Sequence, residues 1–220
     1  MITETDFSIR RFIGGYDKNL TYLITCSKTR AQILVDAAIS IDQILPYIFN
    51  EPIAILITHT HKDHIHYIKK YIEKFPDITI LGHPKSTTVF KNENFKIIKH
   101  KQDFKIGELL LSAIHTPGHY FDSICYLLKP ALFTGDTLFV GRPGRVISEK
   151  SNIKELYNSI YKKILILSNN LRIYPGHDYG EKLTIQIKEN ITISPLLRAK
   201  NLKDFIKKMK DYELNRIPNN

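Results

Sequence analysis

The run Thr58-His59-Thr60-His61-Lys62-Asp63-His64 places four strong metal-binding side chains within six residues. It follows an apolar stretch, Ile53-Ala54-Ile55-Leu56-Ile57, that reads as a buried strand. In an extended segment residues i and i+2 point the same way, so His59 and His61 can grip one ion together. Asp63 and His64 project elsewhere, at the start of a helix predicted over 62–74, and can hold a second ion. A carboxylate near a helix N-terminus is also favoured by the helix dipole. Imidazole with carboxylate suits zinc, iron or manganese better than calcium or copper(I). A lone pair of histidines after a strand is usually surface polarity; the full H-x-H-x-D-H spacing is what points to metal.

Three later segments supply what a two-metal site still lacks. His115-Thr116-Pro117-Gly118-His119 ends an alternating run, and its Pro-Gly turn aims His119 off a strand end. Thr134-Gly135-Asp136-Thr137 follows the apolar run Ala131-Leu132-Phe133, and the two oxygens of Asp136 can bridge cations about 3.5–4 Å apart. Tyr174-Pro175-Gly176-His177-Asp178-Tyr179 follows a short strand. Each has one grammar: apolar strand, turn residues, then a ligand. Loops held on a rigid sheet commonly carry the chemistry.

The elements that must position these residues are strands near 8–12, 21–25, 32–35, 53–57, 78–81, 96–99, 109–115, 123–128, 131–133 and 171–174. Helices are predicted over 41–49, 63–74, 152–167, 182–189 and 202–212. Ser151 is a good N-cap for the third helix, and Leu202, Phe205, Ile206 and Met209 form a docking stripe on the last. Strands alternating with outer helices suit a mixed α/β sandwich. The 220 residues suggest one domain, 1–220, with a helical extension from about 181. Cys26 and Cys125 both fall in predicted strands and read as buried free thiols.

With these motifs in this order, the chain resembles a metallo-β-lactamase-fold protein. Val35-Asp36 matches the first motif, the H-x-H-x-D-H string the second, and His119, Asp136 and His177 the remaining three. The resemblance covers about residues 20–210 and implies a four-layer αββα sandwich with the site at one edge. Gly135-Asp136-Thr137-Leu138-Phe139-Val140-Gly141, Pro175-Gly176-His177-Asp178-Tyr179 and Glu189-Asn190 through Pro195-Leu196-Leu197-Arg198 resemble the glyoxalase II branch, close to persulfide dioxygenases. That resemblance implies a first metal on His59, His61 and His119, and a second on Asp63, His64 and His177, bridged by Asp136. The implied cofactor is two divalent ions, zinc foremost, iron or manganese next. The implied reaction is thioester hydrolysis, hydroxyacylglutathione to hydroxy acid and glutathione, with Asp63 and Asp136 as the catalytic carboxylates. It also implies Arg145 meeting a glutathione carboxylate and Tyr179 lying beside the substrate. Asp36 either orients a metal-bound imidazole or merely satisfies backbone donors.

The alternative is a persulfide dioxygenase with one Fe(II) on His59, His119 and Asp136; lactonase and nuclease rank lower. Several positions depart from the family pattern. Ile65-His66-Tyr67 puts bulk where small residues are usual, Tyr120 follows His119, and Arg142-Pro143 replaces Gly-Cys. Only about 40 residues follow His177, a tail expected to lack much of the family's glutathione clamp. The net charge of +10 is carried by scattered lysines, not an aromatic-studded basic stripe, which argues against nucleic acid; the resemblance implies a small-molecule substrate, a glutathione or other thiol conjugate. No apolar run is long enough for a membrane span, and residues 1–11 lack an apolar signal core, which argues for the cytoplasm.

Overall fold

A computed structural model describes residues 6–90 and 93–216. The leader reading therefore falls in part outside the described residues. Two six-stranded sheets pack face to face. The first holds β1 (Phe7–Gly14), β2 (Asn19–Cys26), β3 (Gln32–Val35), β4 (Ala54–Leu56), β5 (Thr79–Gly82) and β6 (Phe95–Ile97), in that order. Its first three strands are antiparallel, and β3 to β6 run parallel. The second holds β7 (Asp103–Ile106), β8 (Leu109–His115), β9 (Ile124–Leu128), β10 (Ala131–Gly135), β11 (Arg172–Pro175) and β12 (Ile185–Gln186). It is antiparallel except where β10 and β11 pair parallel.

Alternation along the strands sorts the apolar residues into three cores. Tyr22, Ile33, Leu56, Tyr126 and Phe133 meet between the sheets. From the first sheet's other face, Leu34, Ile55 and Ile80 meet α1 (Ile41–Ile44) and α2 (Ile68–Lys74). From the second sheet's outer face, Leu132 and Ile173 meet α3 (Ile153–Ser159), α4 (Ile187–Ile193) and α5 (Leu202–Leu214). The layers are thus helix, sheet, sheet, helix. A central parallel strand is buried on both faces, which is why 54–57 is apolar at every position; Ile53, just before it, is exposed. Cys26 and Cys125 are buried, unpaired and in different cores.

Several elements depart from the sequence reading. The second helix begins at Ile68, and Asp63 and His64 lie in turns before it. The His64 carbonyl accepts from Ala37 N at 2.8 Å, and Ile68 N donates to Ile65 O instead of to His64 O. A clip to another strand end overrides helical propensity there. The third helix is capped by Asn152, whose Oδ1 accepts from Glu155 N at 3.0 Å; the Ser151 hydroxyl donates back to Ser148 O. It continues past Ser159 as a π turn, Ile160–Ile164. Residues 185–186 pair with β11 as an edge strand, so α4 starts later than expected. On α5 only Phe205 and Met209 are buried, and Ile206 is exposed.

The cap assignment has a direct test. Asn152→Ala should cost about 1 kcal/mol in urea unfolding, as loss of an N-cap does, and Ser151→Ala less than half of that. Equal effects would contradict the cap.

Candidate metal centre

Five strands deliver their C-terminal ends to one edge of the sandwich. Strands β3 and β4 run in one direction, as do β8, β10 and β11. Asp36 follows β3, His59 follows β4, His119 follows β8, Asp136 follows β10 and His177 follows β11. The sheets are clipped together at this edge. Ile124 N donates to Thr58 O at 2.7 Å and Leu20 N to Gly176 O at 2.8 Å. The buried hydroxyls of Tyr22 and Tyr126 donate to Pro175 O and Ile57 O.

Two groups of donors result. His59, His61, His119 and Asp136 form one, and Asp63, His64 and His177 the other; within each, one ligand atom per residue lies within 4.8 Å of the rest. Nitrogens face each other at close range: His59 Nε2 to His61 Nδ1 is 2.9 Å and His64 Nε2 to His177 Nε2 is 3.2 Å. Asp136 reaches both groups. Its Oδ1 is 3.3 Å from His64 Nε2, and its Oδ2 is 3.4 Å from His119 Nε2 and 3.3 Å from His177 Nε2.

The outward nitrogens fix the tautomers. His119 Nδ1 donates to Arg145 O at 2.8 Å and His177 Nδ1 to Asp17 O at 2.7 Å. A carbonyl only accepts, so both rings keep Nδ1 protonated and aim Nε2 inward, where it offers a lone pair once any proton on it is lost. Asp36 does the same for two more imidazoles. Its Oδ2 accepts from His64 Nδ1 at 2.8 Å and from the Thr58 hydroxyl at 2.8 Å, and that hydroxyl in turn lies 3.1 Å from His59 Nδ1. Its Oδ1 accepts from Thr58 N. One carboxylate thus accepts from backbone, bonds the His64 ring directly and reaches the His59 ring through the Thr58 hydroxyl. The residue sits at φ +61°, a left-handed turn that Asp tolerates.

The electrostatics match a cation site. Burial, then the neighbouring rings, pushes His61 down to about 4, and burial lowers His59 and His119 as well. Burial opposes charge on His177, yet Asp136 wins and raises it to about 9. His64 is raised the same way by Asp136 and Asp36, again against burial. Asp136 itself stays ionised despite burial, held down by His177 and His64. Its Oδ1 is buried with no hydrogen-bond partner among the described residues. Converging imidazole lone pairs around an orphaned buried carboxylate oxygen fit divalent cations, and hydrogen bonds alone do not satisfy them.

Two positioning residues escaped the sequence reading. The Asn19 amide donates to Asp63 Oδ2 at 2.8 Å. Buried Asp122 accepts from the hydroxyls of Thr60 at 2.6 Å and Ser86 at 2.8 Å, anchoring the loop that carries His59 and His61. Each is a turn residue in sequence, and only the fold reveals its partner. Gly176 permits the close approach, since a Cβ there would lie 2.3 Å from Asp136 Oδ1.

The expected substrate residues fare differently. Arg145 also lines the pocket, and it forms a two-pronged ion pair with Glu213 of α5, at 3.0–3.2 Å, with its side chain 38% exposed. Tyr179 does line the pocket, stacked on His177 at 4.7 Å with its hydroxyl donating to Asp17. Tyr120 packs on His61, and His66 pairs with Tyr16 outside both donor groups. Ile65 and Tyr67 pack into the outer core and do not narrow the pocket. That pocket is about 240 Å³, walled by Phe139, Ile147 and Tyr179 over the donors.

The model of the metallo-beta-lactamase superfamily matches residues 15–177. The chain belongs to that superfamily. Within it, the chain is 32% identical over 204 residues to a probable hydroxyacylglutathione hydrolase of Schizosaccharomyces pombe, covering 88% of this chain and 75% of that one. It is 31% identical to a probable polyketide biosynthesis zinc-dependent hydrolase of Bacillus velezensis, over 74% and 75%. Among solved structures of the superfamily, ETHE1 from Myxococcus xanthus superposes with a TM-score of 0.84 at 29% identity, over 96% and 92%. No helix among the described residues is long and apolar enough to cross a membrane.

Two outcomes are expected here. Asp36→Ala frees two rings at once, so chelator competition should show metal affinity falling roughly 10–100-fold at both positions, the usual loss for an outer partner of a ligand. Loss at one position only would contradict the shared role. In addition, His177 carries a proton at pH 7 when metal-free, so metal uptake there releases protons and weakens as pH falls below about 9. Calorimetry in buffers of different ionisation heat reads the release; identical heats would contradict it.

Proposed function

We propose that this chain is a binuclear metallohydrolase that cleaves thioesters of the hydroxyacylglutathione type. The observation that carries the reading is Asp136, whose carboxylate lies within 3.4 Å of imidazoles from both donor groups. In this reading His59, His61 and His119 hold one ion, Asp63, His64 and His177 the other, and Asp136 bridges them. When bound, the pair of ions acidifies a water into a nucleophile at neutral pH and polarises the acyl carbonyl. The chain's own residues supply the rest. Asp36, Arg145 O and Asp17 O keep the imidazole lone pairs inward. Asn19 holds the Asp63 carboxylate in line. Phe139, Ile147 and Tyr179 give the small pocket apolar walls beside the donors. A thiolate leaves without protonation, so no separate general acid is required. The two curated relatives described above, both named as hydrolases, support the reaction class.

A second reading, persulfide oxidation at a single iron held by His59, His119 and Asp136, is favoured by the likeness to ETHE1 over 92% of that chain. Metal analysis separates the two. Protein purified without added metal should carry close to two zinc, iron or manganese ions per chain. Asp136→Asn should lower thioester hydrolysis by at least roughly a thousandfold while circular dichroism is unchanged. Undiminished hydrolysis sinks the bridging role. One iron per chain, with oxygen uptake on glutathione persulfide, moves the assignment to the second reading.

A further inference from the structure

A second cavity, of about 690 Å³, lies beside the metal pocket, and Tyr179 lines both. Its inner wall is Arg142, on the loop that leads from Asp136 to Arg145. The guanidinium lies 4.6 Å over the Tyr179 ring, 5.4 Å from Phe139 and 5.9 Å from Tyr212 of α5. Arg142 is 8% exposed, yet among the described residues its guanidinium makes no ion pair and no side-chain hydrogen bond. Planar guanidinium groups stack on aromatic faces while keeping their in-plane N–H donors free for an acid. Arg145, three residues further on, lines the metal pocket instead and is ion-paired with Glu213. Arg142 is therefore a cation built into an aromatic frame with no carboxylate paired to it among the described residues. Lys182 adds a second cation, while Glu181 and Glu189 supply carboxylates on the same lining. Both signs together suit a zwitterion better than a polyanion.

We infer that Arg142 is a specificity-determining residue that binds a carboxylate on the thiol portion of the substrate, with that amino-acid-derived thiol lying in the larger cavity. The inference rests on the thioester reading and deepens it. The acyl carbon then faces the donors and the sulfur lies near Tyr179, between the two cavities. The experiment compares a lactoyl thioester of glutathione with the same acyl group on N-acetylcysteamine, an uncharged thiol. The ratio of the two kcat/KM values should fall about tenfold or more in Arg142→Gln, the scale of a lost charge-assisted hydrogen bond, mainly through KM. Arg142→Lys keeps the charge and should retain the larger part of the ratio. Binding of S-methylglutathione to zinc-loaded protein, read by calorimetry, should weaken by a similar factor in Arg142→Gln. An unchanged ratio, or a selective loss in Arg145→Gln and not in Arg142→Gln, overturns the inference. If no thioester is cleaved but S-methylglutathione binding still depends on Arg142, the thioester reading fails and the carboxylate assignment stands. If S-methylglutathione binds wild type and Arg142→Gln alike, the assignment fails whatever the reaction.

Discussion

Donor atoms gathered within 4.8 Å of one another repel unless positive charge sits among them, and the edge of the sandwich is organised around that constraint. The lone pairs converge because their rings are pinned from outside by acceptors that cannot donate: two backbone carbonyls and the Asp36 carboxylate. Those acceptors stay put because the sheets are stitched together beside them, by Ile124 to Thr58 and Leu20 to Gly176. Asp36 is the tightest coupling in the set. It orients a ring in each donor group, so the two halves of the site share one support.

The same logic extends outwards from the ligands. Asp122 holds Thr60 and Ser86, and Asn19 holds Asp63, in each case a buried polar group fully engaged with a neighbour on another element. Buried polar groups without partners are costly, so each such contact both stabilises the edge and removes a competing conformation of the loop. Beside the metal pocket, α5 packs against the loop from Asp136 to Arg145. Glu213 ties Arg145 down, and Tyr212 stands by Arg142. One helix thereby decides which of two neighbouring arginines remains available.

Much of the architecture was legible in the chain. Apolar runs marked β4 and β10, because a strand buried on two faces must be apolar throughout, and alternation marked β8, whose Leu110 faces outward. The elements that were misplaced have a common cause. The segment before α2 has helical composition, yet the His64 carbonyl is taken by Ala37 N, thirty residues or so away along the chain. The start of α4 yields two residues to β12 because β11 offers an open edge. In both cases a non-local hydrogen bond outcompetes a local one, and periodicity carries no trace of it.

At the site, residue type and spacing determined the donors. Histidines and aspartates placed just after apolar strands can be read from one dimension, since a strand end fixes direction as well as position. Sequence could not decide which charged side chains beyond the donors were free. Arg142 and Arg145 are three residues apart with the same chemistry, and the difference between them is an acid, Glu213, that only packing of the C-terminal helix brings near. Nor could it show that Asp36 serves both donor groups, because that role depends on Thr58 and His64 meeting it across strands. Sequence settled what the donors are, and tertiary structure settled what each of their neighbours is already holding. The reason is physical: a ligand's identity is a property of its own side chain, whereas its availability depends on every group the fold brings within reach.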